Sequence, residues 1–214
     1  MDSQATLGGL HYDIVINRPR NCRTMIAPAH AGHLATLRAL IREGAAEGSF
    51  DRELAVDSAE TKLFFANLRQ ALVTGYFVVE DARGVLSRRA VPGYVYWPED
   101  RNDLSQPVGF GLFRAFGDLG YELWLTGVSN TWRGSGHGRS MLKALLATPA
   151  GRLAWVVRVQ QRSDSGVAME RLLAEHDYAP ARETESTRWF LRGDAPELLR
   201  TRIVDAPVAT RNLH

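Results

Sequence analysis

Residues 130–146 read NTWRGSGHGRSMLKALL: an arginine, three glycines within five positions, a second arginine and then an apolar run. Met141, Leu142, Leu145 and Leu146 recur at helical spacing, so a helix starts close behind the last glycine. The segment before it, GYELWLTGVS at 120–129, is rich in aromatic and β-branched residues and reads as a strand. A loop between a strand end and a helix start gathers free backbone N–H groups at the positive end of the helix dipole. Glycines at 134, 136 and 138 remove Cβ atoms that would block close approach and permit positive φ. Arg133 and Arg139 add charge with a bidentate fork, so the expected guest is a phosphate or pyrophosphate.

Two familiar phosphate loops fail at positions their mechanism requires. A Walker A loop needs Lys where Arg139 stands and Gly where Arg133 stands. A dinucleotide fingerprint needs Gly or Ala where Arg139 or Met141 stands.

Outward from the loop, the chain reads as one domain of mixed α/β class over residues 21–192, with a loose leader at 1–20 and a tail at 193–214. CRTMIAP is a first strand. Leu34, Leu37, Leu40 and Ile41 give a helix ending near Gly44 or Gly48, and Phe64 or Phe65, Leu68 and Leu72 give a second, ended by Gly75. GYFVVED, PVGFGLFRAFG and GYELWLTGVS form three antiparallel strands, with residues 83–106 inserted between the first two and carrying the strand-like GYVYW. After the loop helix come the strand RLAWVVRVQ, a helix with Met169, Leu172, Leu173 and His176 inward, and a final strand STRWFLRG. A short helix at APELLRTRI falls within the tail.

With 45% hydrophobic and 23% charged residues, the chain has ordinary globular composition. Its net charge is +2, and its 26 basic residues include only two lysines, Lys62 and Lys143. The arginines are scattered, which argues against a nucleic-acid partner. One cysteine, Cys22, excludes an intrachain disulfide framework and a cysteine-rich metal site, and fits a cytoplasmic home. No window approaches 18 apolar residues in a row, so no membrane span is expected.

The loop and its setting resemble the acyl-CoA-binding signature of the GNAT N-acetyltransferase superfamily, Arg/Gln-x-x-Gly-x-Gly/Ala, met here by Arg133, Gly136 and Gly138. The resemblance implies a mixed, mostly antiparallel sheet flanked by helices, with acetyl-CoA as acyl donor. It implies that the amides of Gly134, Ser135, Gly136, His137, Gly138 and Arg139 grip the coenzyme A pyrophosphate, with His137 turned to solvent and not acting as a base. The N–H of Val128 would polarise the thioester carbonyl, turned inward by a bulge at Gly127. Glu122, sharing a face with Trp124 and Thr126, corresponds to a glutamate that serves relatives as general base. Relatives often carry a tyrosine as general acid where this chain has Leu173; Ser165 and Tyr178 are the fallback groups. The acceptor would enter between Glu47 and Phe50 on one side and Tyr94, Tyr96 and Trp97 on the other, although such aromatics more often serve as strand core or edge packing. Glu99, Asp100 and Asp103 would add negative charge there, or form a solvated loop.

The activity implied is N-acetylation of a primary amine on a small molecule or peptide, with a homodimer left open. The alternatives are a catalytically silent acyl-CoA-binding module and a toxin-like acetyltransferase of aminoacyl-tRNA.

Overall fold

Alternating apolar segments assemble into a seven-stranded sheet of order β1-β4-β5-β6-β7-β9-β8 in a computed structural model that describes residues 24–80, 84–98, 106–161 and 163–204. The strands are β1 (Thr24–Pro28), β4 (Gly93–Pro98), β5 (Gly109–Ala115), β6 (Tyr121–Val128), β7 (Ala154–Gln160), β8 (Tyr178–Glu183) and β9 (Thr187–Arg192). β2 (Tyr76–Glu80) and β3 (Leu86–Ala90) form a separate two-stranded sheet. Every sheet contact is antiparallel except β6 with β7. The mixed α/β class is therefore as expected. The leader at 1–20, the tail from 205, and Glu99, Asp100 and Asp103 lie outside the described residues.

The helices follow their stripes. α1 (Leu34–Ala46) buries Leu37, Leu40 and Ile41, and α2 (Ala59–Thr74) buries Phe65 and Leu68. Gly75 ends α2 at φ 79°, a left-handed cap that glycine adopts without steric cost. Both helices lie on one face of the sheet, against Val95, Trp97, Phe110, Leu112 and Leu125. On the other face α3 (His137–Leu146) and α5 (Asp164–Ala174) cover Phe113, Leu123, Val128, Val157 and Phe190. Between them in sequence, Thr148 caps the four-residue α4 (Pro149–Arg152) through the N–H of Gly151.

Two features differ from the sequence reading and two agree with it. GYVYW is a strand of the main sheet, buried on both faces and paired with β1 and β5, whereas GYFVVED leaves the sheet to pair with β3. The two segments are equally period-two, and long-range pairing with β1 decides between them. Tyr96 and Trp97 are accordingly sheet core, the favoured reading of such aromatics, while Tyr94 packs on Phe113. A further edge strand, β8, runs through Pro180 and carries an irregularity between Pro180 and Arg182, the setting in which a strand tolerates proline. The short helix expected at APELLRTRI is present as α6 (Glu197–Val204), which buries Leu199 and Ile203 against Val156 and Leu191.

α3 sits close to the sheet because Gly111 has no side chain. A Cβ there would lie 2.6 Å from both terminal carbons of the fully buried Leu145. Gly111→Ala should therefore be strongly destabilising, and Leu145→Ala should cost about 3 kcal/mol through its cavity. The double variant should be more stable than the sum of the two predicts, because each change relieves the other; urea unfolding of all three measures the coupling.

Candidate functional site

The chain leaves β6, makes one 3-10 turn over Asn130–Trp132, and enters α3 through Gly134 and Gly136, at φ 82° and 84°. A Cβ built on either glycine would meet nothing within 4 Å, so the space in front of the loop is open. Gly136 is the N-cap of α3, which lacks both a side-chain cap and an acidic residue in its first turn. The first helical bond runs from the N–H of Ser140 to the carbonyl of Gly136. The N–H groups of residues 134 to 139 have no acceptor among the described residues, and such a helix terminus favours an anion.

The flanking charges are committed elsewhere. Arg133 donates through Nη1 to Glu47 and through Nε to the carbonyl of Val128 at 3.0 Å; Arg139 pairs with Glu175. Asn130 donates its backbone N–H to Glu43 and its side-chain amide to Glu47. The C-terminal carboxylates of α1 thus hold the loop from the side. His137 does not face solvent, as expected of it, but is half-buried against the ring of Trp132 and within hydrogen-bond reach of the Tyr96 hydroxyl.

β6 pairs with β7 only through Leu123↔Val157, and beyond that level the two strands part. The N–H of Ser129 donates to the carbonyl of Val108 at 2.8 Å, which puts the polar groups of Ser129 on the β5 side. Strand alternation then turns the N–H groups of Val128 and Thr126 toward the open edge. Thr126 joins Val128 here because the register shift lies at Trp124, not at Gly127: Leu112 pairs with Leu125 and Phe113 with Leu123. The shift also places Leu125 on the α1–α2 face with Trp124, so the simple alternation expected from Glu122 to Thr126 breaks at Trp124.

Glu122 lies on that same α1–α2 face with no solvent exposure. Its Oε2 accepts from Arg114 Nη2 at 2.7 Å and its Oε1 accepts from Arg158 Nε. Burial alone would raise its carboxyl, but the two guanidinium groups outweigh burial through charge and hydrogen bonding, and the carboxyl sits below its ordinary range. Both oxygens are spent and the group is a weak proton acceptor, an environment that suits an ion-pair anchor and suits a general base poorly. The acid side is equally sparse. Leu173 is fully buried, and Tyr178 donates its hydroxyl to the carbonyl of Ala154 while burial pushes its pKa up to about 12. Ser165, at the start of α5, shares a hydrogen bond with Ser49 of the segment after α1.

Sequence reasoning missed Arg114 and Arg158. Their signal was an arginine inside otherwise apolar strands, GLFRAF and WVVRVQ, where an unpaired charge would be too costly to bury.

Because Glu122 is charged and paired in the folded chain with a depressed pKa, its contribution is complete above the ordinary value of 4.5 and is lost as pH falls through the lower folded value. Replacing Glu122 with Gln should cost about 3 kcal/mol at neutral pH by leaving two guanidinium groups unpaired. It should also flatten the stability loss below pH 4.5; parallel urea titrations from pH 3 to 7 check both.

No family model and no curated protein matches the sequence. Solved structures do match its fold. PaiA N-acetyltransferase from Thermoplasma acidophilum, in complex with coenzyme A, superposes with a TM-score of 0.56 at 13% identity, over 79% of this chain and 98% of that one. YncA from Salmonella typhimurium, with its cofactor acetyl-CoA, gives 0.51 at 16% identity, over 88% and 98%. An acetyltransferase of the GNAT family from Staphylococcus aureus Mu50 gives 0.51 at 11% identity, over 79% and 98%. These superpositions establish that the chain has the GNAT acetyltransferase fold.

Proposed function

We propose that the protein is an acetyl-CoA-dependent N-acetyltransferase acting on a primary amine of a small molecule or peptide, in the cytoplasm. The observation that carries this reading is the pairing of an open, uncapped α3 N-terminus with a strand fork whose edge presents main-chain N–H groups. The N–H groups of residues 134 to 139 would hold the pyrophosphate. Those of Val128 and Thr126 are oriented toward the fork, where oxygen charge would develop as the thioester carbonyl is attacked.

Acetyl-CoA supplies an activated thioester: the amine nitrogen bonds to the acyl carbon, the carbon–sulfur bond breaks, and the proton shed by the amine balances the one taken up by the thiolate. The chain's own part is mostly positional. It would fix the donor through backbone groups that need no protonation, and it leaves proton movement to water.

A silent acyl-CoA-binding module is the second reading, and the commitment of Glu122 and Tyr178 to internal partners favours it. An aminoacyl-tRNA acceptor has no comparable observation behind it. For all described residues, no helix is long and apolar enough to cross a membrane.

Acetyl-CoA at about a hundred times its Kd should stabilise the fold by about 2.7 kcal/mol, read as a rise in melting temperature. Gly138 has only a Leu172 carbon at 3.9 Å from a built Cβ and no left-handed φ, so Gly138→Asp should fold within about 0.5 kcal/mol of the parent. Its carboxylate would face the anion and should abolish the acetyl-CoA shift. Thiol release across a panel of amines then separates enzyme from binder, and a parent protein unmoved by saturating acetyl-CoA would sink both readings.

A further inference from the structure

Charged side chains crowd one band of the α1–α2 face. Arg114 on β5, Glu122 on β6, Arg158 on β7 and Trp189 on β9 lie across four adjacent strands, tied by the register Arg114↔Glu122 and Arg158↔Trp189. Two cations share one carboxylate, and their exposure is unequal: Glu122 is 0% exposed, the Arg114 side chain 16% and the Arg158 side chain 30%. The negative charge is therefore covered and the positive excess reaches the surface.

Arg158 is the group best placed to use that excess. It reaches Glu122 through Nε, which leaves both Nη atoms without a hydrogen-bond acceptor among the described residues. Its guanidinium lies over the Trp189 ring at 4.9 Å, and Arg114 lies over Trp124 at 5.1 Å, so both cations are braced by aromatic faces. Anchoring at Nε and stacking on one side fix the plane of the fork while its outer edge stays open, the geometry that binds a carboxylate or phosphate with two parallel hydrogen bonds. In sequence Arg158 directly follows Val157, the last residue paired with β6, so it stands where the strands part. A purely structural tie to Glu122 would not require the outer edge to be presented.

We propose that this band is an acceptor subsite, in which the Nη edge of Arg158 holds an oxyanion carried by the amine substrate itself. The acceptor class is an amino acid or another small amine bearing a carboxylate or phosphate. This inference rests on the acetyltransferase reading and deepens it. The acceptor would enter from the α1–α2 face, while α3 and its loop serve the donor from the other. A polyamine would meet two guanidinium groups of like charge and is disfavoured.

The test compares amines that differ only in the anion. Amino acids and their carboxamides, together with aminoethyl phosphate and ethanolamine, are assayed for acetyl transfer, and their binding in the presence of coenzyme A is followed by calorimetry. The parent protein should prefer the anionic member of a pair at least tenfold in kcat/KM, with the carboxylate and phosphate arms naming the anion. Arg158→Gln should raise KM for that member at least tenfold and move its neutral partner less than twofold. Arg158→Lys, which keeps the charge and loses the fork, should fall between; it also serves if the Gln variant does not fold. Preference for the neutral or polycationic amines, or equal loss on both members in Arg158→Gln, overturns the proposal. A parent that shows no melting shift with acetyl-CoA instead overturns the enzyme reading, and calorimetry of the anionic amine against parent and Arg158 variants then decides the subsite alone.

Discussion

A carboxylate with no exposure to water, held between two guanidinium groups, sets the level at which this sheet divides. Glu122 receives Arg114 from β5 and Arg158 from β7, so one side chain clasps three strands. Immediately beyond the clasp, β6 and β7 cease to pair. Two parallel strands that continued side by side would spend their edge N–H groups on each other. The register shift at Trp124 bends β6 away at this level, and a local irregularity of that kind increases strand twist. The clasp below and the shift above thus convert a sheet interior into an edge that presents main-chain donors, and the glycine loop emerges from the end of that same strand.

The loop is electrostatically balanced rather than simply positive. Arg133 is paired with Glu47 and Arg139 with Glu175, and each pair is partly exposed. Exposed ion pairs of this type contribute about 0 to 1 kcal/mol, so on the proposed reading Arg133 would exchange Glu47 for a phosphate at small cost. What stays fixed is the set of N–H groups from Gly134 to Arg139 and the dipole of α3 behind them. Glycine stands at the two left-handed positions, Gly134 and Gly136, because a side chain there would strain the turn that presents these groups.

The loop, the stripes of α1 and α2 and the stop at Gly75 were legible in the sequence because each follows from local rules of spacing and conformation. The exchange of GYFVVED for GYVYW was not, since both obey the same period and only pairing with the distant β1 distinguishes them. β8 was hidden by Pro180, which an interior strand would exclude but an edge tolerates. At the site, element order in the sequence was enough to put the loop between β6 and α3, but the register shift at Trp124, which brings Thr126 to the same edge as Val128, depends on pairing with β5 and was not legible. Nor could sequence assign the role of Glu122, because a strand glutamate reads the same whether it faces solvent, a substrate or a pair of arginines two strands apart.

The commitment of Glu122 also bears on how a proton would leave the acceptor. A general base works by accepting that proton, which a carboxylate stabilised by two guanidinium groups does poorly. The same guanidinium groups would repel an amine that carries no anion of its own. An ammonium brought beside Arg114 and Arg158 faces like charge, and like charge disfavours the protonated form. In the proposed subsite the anion of the acceptor neutralises the one positive charge that Arg114 and Arg158 carry in excess of Glu122, so the band positions the acceptor rather than titrating its amine. The amine proton would then leave to water, and the oriented N–H groups of Val128 and Thr126 would stabilise the developing oxyanion. On the proposed reading, acyl transfer would rely on proximity rather than on a dedicated base, with the amine and thioester held in the gap between β6 and β7.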